Sequence, residues 1–218
     1  MKLIDNKLYA LIEDFFAPEI IAGFTTSNRE TNFAPDFKKV LPFSRKELSF
    51  SYMNQLHSGR ILTIEEPSQY SCDGIFTKGT GHALVVKTAD CLPLIFSDSS
   101  KGIIGVVHMG WCGARDSILN NIPYDLSSFK VLAGVGLRRC CYEVGEELLD
   151  SSLAGYLSKK DSKFYFDPIG FAEDKLYSQG LVHENFFDLG VCSFCSGQKH
   201  LSYRKTKTKK RMLSFIFR

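Results

Sequence analysis

Two histidines and one cysteine are the residues of this sequence best suited to chemistry. His57, Cys91 and His108 each lie at the edge of an apolar run typical of a strand. Two imidazoles and one thiolate are sufficient to bind a zinc ion while its fourth coordination position stays open for water or substrate. The sequence therefore predicts a catalytic metal site rather than a closed structural one.

Two neighbours of these residues suggest further roles. Asp90 directly precedes Cys91 at the predicted end of a strand, where an ionisable group needs a partner such as a metal, a histidine or a substrate hydroxyl. Gly110 to Gly113 follow His108 and predict a turn that opens a helix, whose free N–H groups favour an anion. A tight turn with Trp111 in the core is the alternative.

Several arginine side chains are candidate anion contacts. Arg138 and Arg139 follow a glycine-rich strand end and could clamp a phosphate or carboxylate, although solvated surface arginines would produce the same pattern. After Asp188 the chain has eight basic residues and no acidic one. We interpret residues 205–211 as a solvated hairpin turn rather than a nucleic-acid site, with an anionic ligand near Arg204 as the alternative.

The cysteines favour thiol chemistry or metal binding over a disulfide scaffold. There are seven, an odd number, and no segment resembles a secretory signal. Cys192 and Cys195 form a C-x-x-C pair, which suggests zinc or redox chemistry. The zinc pattern needs a second pair, however, and Cys140 and Cys141 are adjacent rather than two residues apart. The sequence alone therefore argues against a metal site at Cys192 and Cys195.

The elements that must position these residues form a mixed α/β pattern. Residues 83–88, 92–96 and 103–108 are apolar on both faces, which predicts strands in a sheet covered on both sides, the last two joined as a hairpin. Further predicted elements are strands at 7–11, 20–26, 129–133 and 186–189, and helices from Gly113 to Pro123, Glu143 to Leu157 and Asp167 to Leu181.

Length and composition set the expected organisation. With 218 residues, 44% of them hydrophobic, and no repeat or linker, we expect one mixed α/β domain over residues 1–218. No segment approaches the roughly 20 apolar residues of a membrane span. We therefore expect a cytoplasmic protein that contacts neither a membrane nor nucleic acid, as a monomer or weak homo-oligomer.

Several sequence blocks together resemble one bacterial family, in the family's order. This is the YfiH/YlmD-like group, once described as laccase-domain or polyphenol oxidase proteins and now regarded as purine nucleoside phosphorylases. The matching blocks are Gln55–His57, Asp73–Gly74, Thr88–Pro93, His108–Gly113, Cys140–Gly145, Asp188–Leu189, Cys192 with Cys195, and Ser202–Arg204.

The resemblance implies a fold, a metal and a set of reactions. The implied fold is a layered α/β sandwich with mixed β-sheets flanked by helices, distantly similar to a cysteine-hydrolase domain of a deamidating toxin. The implied zinc ligands are His57, Cys91 and His108, in a cleft for purine nucleosides. The implied activities are phosphorolysis of adenosine, inosine, guanosine and S-methyl-5'-thioadenosine, together with deamination of adenosine.

The sequence departs from the family pattern in several places, one of which matters if the arginine usual there handles phosphate. Cys112 occupies a position usually held by arginine, and a Gly-Gly-Val-Ser segment expected after Thr26 is missing. Arg115, Arg138 or Arg139 are the candidate substitutes for the missing arginine. Arg204 is a candidate anion contact, and Asp90 is a candidate for acid–base catalysis or a hydrogen bond to ribose.

Three other functions stay open at this stage. Because a Cys/His₂ set also binds Cu²⁺, copper-dependent phenol oxidation is one alternative, although multicopper oxidases need more histidines than the five present. A second is cysteine-type hydrolysis, with Cys91 as nucleophile and His108 as base. The third is a non-enzymatic redox or partner-binding module.

Overall fold

The structure, a computed structural model, describes residues 1–5, 9–26, 49–197 and 199–218. Strands β1 to β8 are Lys2–Asp5, Tyr9–Glu13, Ile21–Thr25, Ser49–Met53, Ile61–Thr63, Gln69–Tyr70, Gly74–Thr77 and His82–Thr88. Strands β9 to β16 are Leu92–Asp98, Ile103–Met109, Lys130–Ala133, Glu143–Val144, Leu157–Lys160, Lys163–Phe166, Phe186–Asp188 and Met212–Phe217. The helices are α1 (Trp111–Arg115), α2 (Pro168–Tyr177) and α3 (Tyr203–Thr206), with 3₁₀ turns at Ile118–Asn121, Glu146–Leu148, Ala154–Tyr156 and His183–Asn185.

Two large mixed sheets form the body of the described chain. The seven-stranded sheet has the order β1-β2-β3-β16-β8-β4-β6, and the six-stranded sheet has the order β15-β11-β9-β10-β7-β5. Both contain parallel and antiparallel pairs, such as parallel β4–β8 and antiparallel β16–β8. A small sheet, β12-β14-β13, lies beside them.

The six-stranded sheet is covered on both of its faces. Residues such as Leu84, Ile104 and Ile216 pack between the two large sheets. On the opposite face, Leu94 and Val107 pack in a second cluster with residues of α1, α2 and the first 3₁₀ turn. All seven residues of β9 and of β10 are buried, as their two-sided apolar pattern predicts. The layered, mixed α/β fold expected from the sequence is confirmed.

The predicted hairpin brings two of the candidate ligands to the same end of the sheet. β9 and β10 pair antiparallel, with Met109 opposite Leu92 and His108 opposite Pro93. Cys91 immediately precedes β9, so it lies next to the end of β10 that carries His108. The register of one hairpin therefore accounts for part of the site.

Two helix predictions are wrong, one because the helix is absent and the other because the helix is shorter than expected. The helix predicted from Glu143 to Leu157 is absent: β12, two 3₁₀ turns and the start of β13 occupy that segment. The hydroxyl of Ser151 donates to the carbonyl of Leu148, and such side-chain bonds compete with a helix. The helix expected after Gly113 begins earlier, at Trp111, and ends at Arg115 before Ser117, whose φ is 57°.

The remaining segments follow the predictions more closely. α2 begins where expected, since the Asp167 carboxylate accepts from the backbone N–H of Gly170, although it ends at Tyr177. Strands occur at each predicted position, but residues 7 and 8 of the first one lie outside the described residues. The interpretation of the basic C-terminal segment as a hairpin turn is wrong. The helix α3, rather than a strand, precedes this segment, and β16 pairs with β3 and β8 instead.

No helix in the described ranges combines the length and apolar character needed to cross a bilayer.

Candidate active site

The structure brings His57, Cys91 and His108 together. One donor atom from each residue lies within 4.8 Å of the others. The two imidazole rings are nearly perpendicular, with centroids 4.8 Å apart. His57 is exposed and has a φ of 57°, whereas His108 is almost completely buried. Three residues from separate parts of the sequence thus form one compact His₂Cys group.

A single carboxylate, that of Asp73, holds two of these three residues in place. Its Oδ1 accepts from Nδ1 of His108 at 2.9 Å and from the backbone N–H of His57 at 3.0 Å. Its Oδ2 accepts from the backbone N–H groups of Leu56 and Ser58 and from the Ser58 hydroxyl. Because Nδ1–H of His108 donates to Asp73, the unprotonated Nε2 is left to bind a metal or to accept from a substrate.

The protonation states around Asp73 suit this arrangement. Burial alone would raise the pKa of Asp73, but hydrogen bonds from His108 and Ser58 outweigh it and bring the pKa to about 2. Burial lowers the pKa of His108 although Asp73 opposes the shift. At neutral pH the pair is therefore a carboxylate and a neutral imidazole, which is the form that binds metal ions.

The environment of Cys91 disfavours a free thiolate. Burial, with a further contribution from the charge of Asp90, raises the pKa of Cys91 to about 12. Activated cysteine nucleophiles show the opposite shift. The order Asp73, His108, Cys91 is compatible with cysteine-type hydrolysis in geometry, but the thiol would be protonated at neutral pH. A cation beside the sulfur would remove this obstacle.

Gly110 leaves space beside the side chains of Cys91 and His57. A Cβ atom on Gly110 would lie 3.0 Å from Sγ of Cys91 and 3.5 Å from Cδ2 of His57. The φ of Gly110 is −89°, which other residues also adopt, so the constraint at this position is one of space. The donor set and this cradle together fit a single small metal ion.

Asp90 is held in position by hydrogen bonds from three other residues. Its φ is 101°, a conformation rare outside glycine, and its carbonyl accepts from the N–H of Leu137. One carboxylate oxygen accepts from the hydroxyl of Ser193 at 2.8 Å, and the other accepts from the N–H of Arg204 at 2.7 Å. These bonds favour a positioning role for Asp90 over the predicted acid–base role.

A pocket of about 720 Å³ opens over the group. Its size falls in the range of small-molecule sites. Its walls combine polar, aromatic and basic side chains: Asn54, Gln55, His57, Lys87, Thr88, Ala89, Asp90, Cys91, His108, Gly110, Trp111, Leu137, Tyr142, Tyr203, Arg204, Lys207, Lys209 and Arg211. Part of the basic C-terminal segment therefore faces this pocket.

Of the arginines predicted to bind substrate, only Arg204 lines the pocket. Its guanidinium lies over the ring of Tyr142 at 5.1 Å and donates to the carbonyl of Glu143. Arg138 is buried and bonds Asp188 and the carbonyls of three residues of its own turn, so it braces the chain. Arg115 is exposed, pairs with Asp116 and lies outside the pocket walls.

Sequence reasoning missed three residues of this site. Asp73 stands alone between Cys72 and Gly74, and only the family resemblance drew attention to it. Lys87 and Arg211 line the pocket, and the positive charge of Arg211 acts to lower the pKa of both Cys91 and His108. Arg211 belongs to a charge run that resembles a solvated turn, so no local signal distinguished it.

The structure also gathers four other cysteines. Cys140, Cys141, Cys192 and Cys195 have sulfur atoms within 4.8 Å of one another. The sequence analysis set Cys140 and Cys141 aside as a second pair because they are adjacent, but the structure places their sulfur atoms beside those of Cys192 and Cys195.

Comparison with known sequences identifies relatives over most of the chain. The family model described as "Multi-copper polyphenol oxidoreductase laccase" matches residues 26–218. A protein of Borreliella burgdorferi named purine nucleoside phosphorylase is 31% identical over 95% of both chains. A protein of Campylobacter jejuni with the same name is 34% identical over 76% of both chains.

Solved structures share the fold. The YfiH protein of Bacillus licheniformis has a TM-score of 0.86 at 21% identity and covers 98% of this chain and 97% of its own. YlmD of Geobacillus stearothermophilus has a TM-score of 0.82 at 21% identity, with 99% and 97% covered. The chain therefore belongs to the laccase-domain family that includes the YfiH and YlmD proteins.

Proposed function

We propose that the chain is a zinc-dependent purine nucleoside phosphorylase that acts on adenosine, inosine, guanosine and S-methyl-5'-thioadenosine and also deaminates adenosine. The observation that carries the proposal is the His57, Cys91 and His108 group in a pocket with basic side chains. The names of the relatives supply the reaction class, because a metal group and a basic pocket would serve several reactions.

Zinc fits the donor set. Three protein ligands of the N and S type, with one position left for substrate or water, are typical of catalytic zinc. When bound by His57, Cys91 and His108, the ion would supply Lewis-acid stabilisation of developing negative charge. Asp73 orients His108 and the His57 loop toward it, as carboxylates behind metal-ligating histidines do.

The basic residues of the pocket are suited to the phosphate. In phosphorolysis a phosphate oxygen bonds to C1′ of the ribose while the C1′–N9 bond breaks, its electron pair leaves with the purine, and the purine takes up a proton. We assign Lys87, Arg204 and Arg211 to the phosphate, since all three line the pocket and charge-assisted hydrogen bonds hold such anions best.

The aromatic residues are suited to the purine. Trp111, Tyr142 and Tyr203 line the same pocket. The backbone N–H of Trp111 donates to the hydroxyl of Tyr142 at 3.0 Å, which fixes these two residues relative to each other. Tyr203 is 47% exposed, so its ring is accessible to a base. Stacking on such rings holds a planar base without reading its exocyclic groups, in keeping with several purine substrates.

Product analysis with adenosine tests the proposal. Purified protein with known zinc content should convert adenosine to adenine and ribose 1-phosphate only when phosphate is present. Inosine should form with or without phosphate, because deamination consumes only water, and its absence under both conditions would contradict the deaminase assignment. Absence of adenine and ribose 1-phosphate from the zinc-loaded protein, with inosine and guanosine also unchanged, would contradict the phosphorylase assignment.

Arg211 should contribute to phosphate affinity. Arg211→Ala should raise the KM for phosphate by about tenfold or more, because a hydrogen bond to a charged group contributes about 1.5–3 kcal/mol. The KM for inosine should change little. Arg218→Ala is the matched control, since Arg218 flanks the opposite end of β16 from Arg211, donates to the carbonyl of Lys78 and lies outside the pocket walls. Equal effects of the two variants would refute the role given to Arg211.

Copper-dependent phenol oxidation is a second candidate, favoured by the description of the family. Cu²⁺ would also bind a His₂Cys set. The other three histidines, however, lie elsewhere: His82 bonds Ser51, His183 stacks on Tyr177, and His200 packs against Phe24. Oxygen uptake with a phenol by the copper-loaded protein, and no phosphorolysis by the zinc-loaded protein, would reverse our preference.

A further inference from the structure

The four clustered cysteines lie on two segments that the fold holds side by side. The backbones of Gly136 and Cys192 form a parallel bridge, and the N–H of Ser193 donates to the carbonyl of Gly136 at 3.0 Å. The chain then turns, with the N–H of Cys141 donating to Arg138. These contacts place the Cys140–Cys141 pair against the Cys192–Cys195 pair.

The geometry of the sulfur atoms indicates a single ion. We propose that Cys140, Cys141, Cys192 and Cys195 bind one zinc ion in a closed tetrahedral site, distinct from the His57, Cys91 and His108 group. At a Zn–S distance of about 2.3 Å the sulfurs of such a site are about 3.8 Å apart. All four sulfurs lie within 4.8 Å of one another, and Cys140 and Cys195 are 3.7 Å apart. An iron–sulfur cluster, with several metal atoms between its ligands, needs a wider spread.

Backbone N–H groups and one ammonium group lie close to the four sulfur atoms. N–H groups of Phe194, Cys195 and Arg138 point to the sulfur of Cys192. Such bonds stabilise a thiolate, the form in which cysteine binds metals. The ammonium of Lys205 donates to the carbonyls of Phe194 and Gly197, which places a positive charge beside a site with four thiolates.

A disulfide explains less of the arrangement. The sulfurs of Cys141 and Cys195 are 3.0 Å apart, so these two residues could be oxidised to a disulfide. A disulfide between Cys141 and Cys195 would not explain why the sulfur atoms of Cys140 and Cys192 lie beside it. Four thiols at the corners of one small volume are typical of a structural zinc site, which uses all four positions.

A zinc ion bound by the four cysteines would stabilise one wall of the pocket that lies over His57, Cys91 and His108. The first cysteine segment contains Leu137, which donates to the carbonyl of Asp90, and the second contains Ser193, whose hydroxyl donates to the Asp90 carboxylate. The second segment continues to Arg204, whose N–H donates to the same carboxylate. An ion between the two segments would therefore keep Asp90, and the strand end it precedes, in position.

Zinc content of matched variants tests the proposal. The Cys91→Ala background removes a ligand of the other site, so the test does not depend on the proposed function. Full-length Cys91→Ala, purified with reductant, should retain one zinc ion per chain, and its X-ray absorption spectrum should show four sulfur neighbours at about 2.3 Å. Adding Cys195→Ser should remove that ion, whereas adding Cys112→Ser should not.

Other measurements guard against a variant that fails to fold. Cys140→Ser, at an exposed position, should lose the same ion and provides a second variant. Alkylation of the denatured wild-type chain without reductant should modify all seven cysteines. The proposal is overturned if Cys91→Ala contains no zinc, if iron or mixed N/O ligands occupy the site, or if only five cysteines are alkylated because a disulfide has formed.

Discussion

Replacing Cys91 by alanine should lower kcat/KM for inosine phosphorolysis by roughly a thousandfold and remove one zinc ion per chain. Metal ions supply several kcal/mol of charge stabilisation in a transition state, and about 1.4 kcal/mol corresponds to a factor of ten. Cys91 is the single sulfur donor of its group, and alanine at this position leaves two histidines, of which His57 is exposed. Two such ligands bind zinc weakly.

The control for this prediction is another partly exposed cysteine. Cys112→Ala removes a thiol from α1, outside the pocket walls, and should keep both the activity and the zinc content. Activity and zinc content are measured on the same preparations. Full zinc and full phosphorolysis in Cys91→Ala would show that the metal-centred scheme is wrong, whereas lost activity with full zinc would indicate a direct role for the thiol.

Part of the ligand triad could be predicted from sequence because Cys91 directly precedes β9 and His108 lies near the end of β10, whereas His57 lies in the loop between β4 and β5. Cys91 and His108 belong to one hairpin, and a hairpin register is set by local turn and burial patterns. The position of His57 does not follow from such a local pattern, since its loop is held to the sheet by a hydrogen bond to Asp73. The family resemblance supplied that long-range connection, which no local pattern contains.

The sequence could not predict contacts that depend on the order of distant strands. Arg211 reaches the pocket because β16 inserts between β3 and β8, far from it in sequence. The four cysteines meet because Gly136 pairs with Cys192. Neither arrangement follows from spacing along the chain, so Arg211 was assigned to a solvated turn and the two cysteine pairs were treated separately.

The wrong helix from 143 to 157 has a local physical cause. Leu148, Leu149 and Leu153 have helical spacing, but Leu149 is 42% exposed, whereas Leu148 and Leu153 are buried. Gly145 and Ser151 interrupt the segment with turn-forming residues, and the preceding residues pair with β14 instead. Sheet pairing and short 3₁₀ turns bury the two leucines without a continuous helix.

Asp73→Asn should weaken zinc binding at the His57, Cys91 and His108 group by about ten- to a hundredfold. Each carboxylate oxygen of Asp73 accepts at least two hydrogen bonds, and an amide NH₂ cannot accept any of them. Either the His57 loop or the Nδ1–H of His108 must therefore lose its acceptor. Losing a partner of this kind behind a metal ligand typically costs that range in affinity.

Asp98→Asn is the matched control, because it separates metal binding from stability. Asp98 is also fully buried, accepts from Ser100, Ser128 and Lys101, and has a pKa of about 2 despite burial, but it lies at the far end of β9. For both carboxylates a pKa below the ordinary 3.8 means that their stabilisation is complete above about pH 4 and is lost as the pH falls toward 2. Both variants should therefore flatten the acid side of the stability profile measured by urea unfolding, but only Asp73→Asn should weaken zinc binding in chelator competition. Equal zinc affinities in the two variants would show that Asp73 stabilises the fold without positioning the ligands.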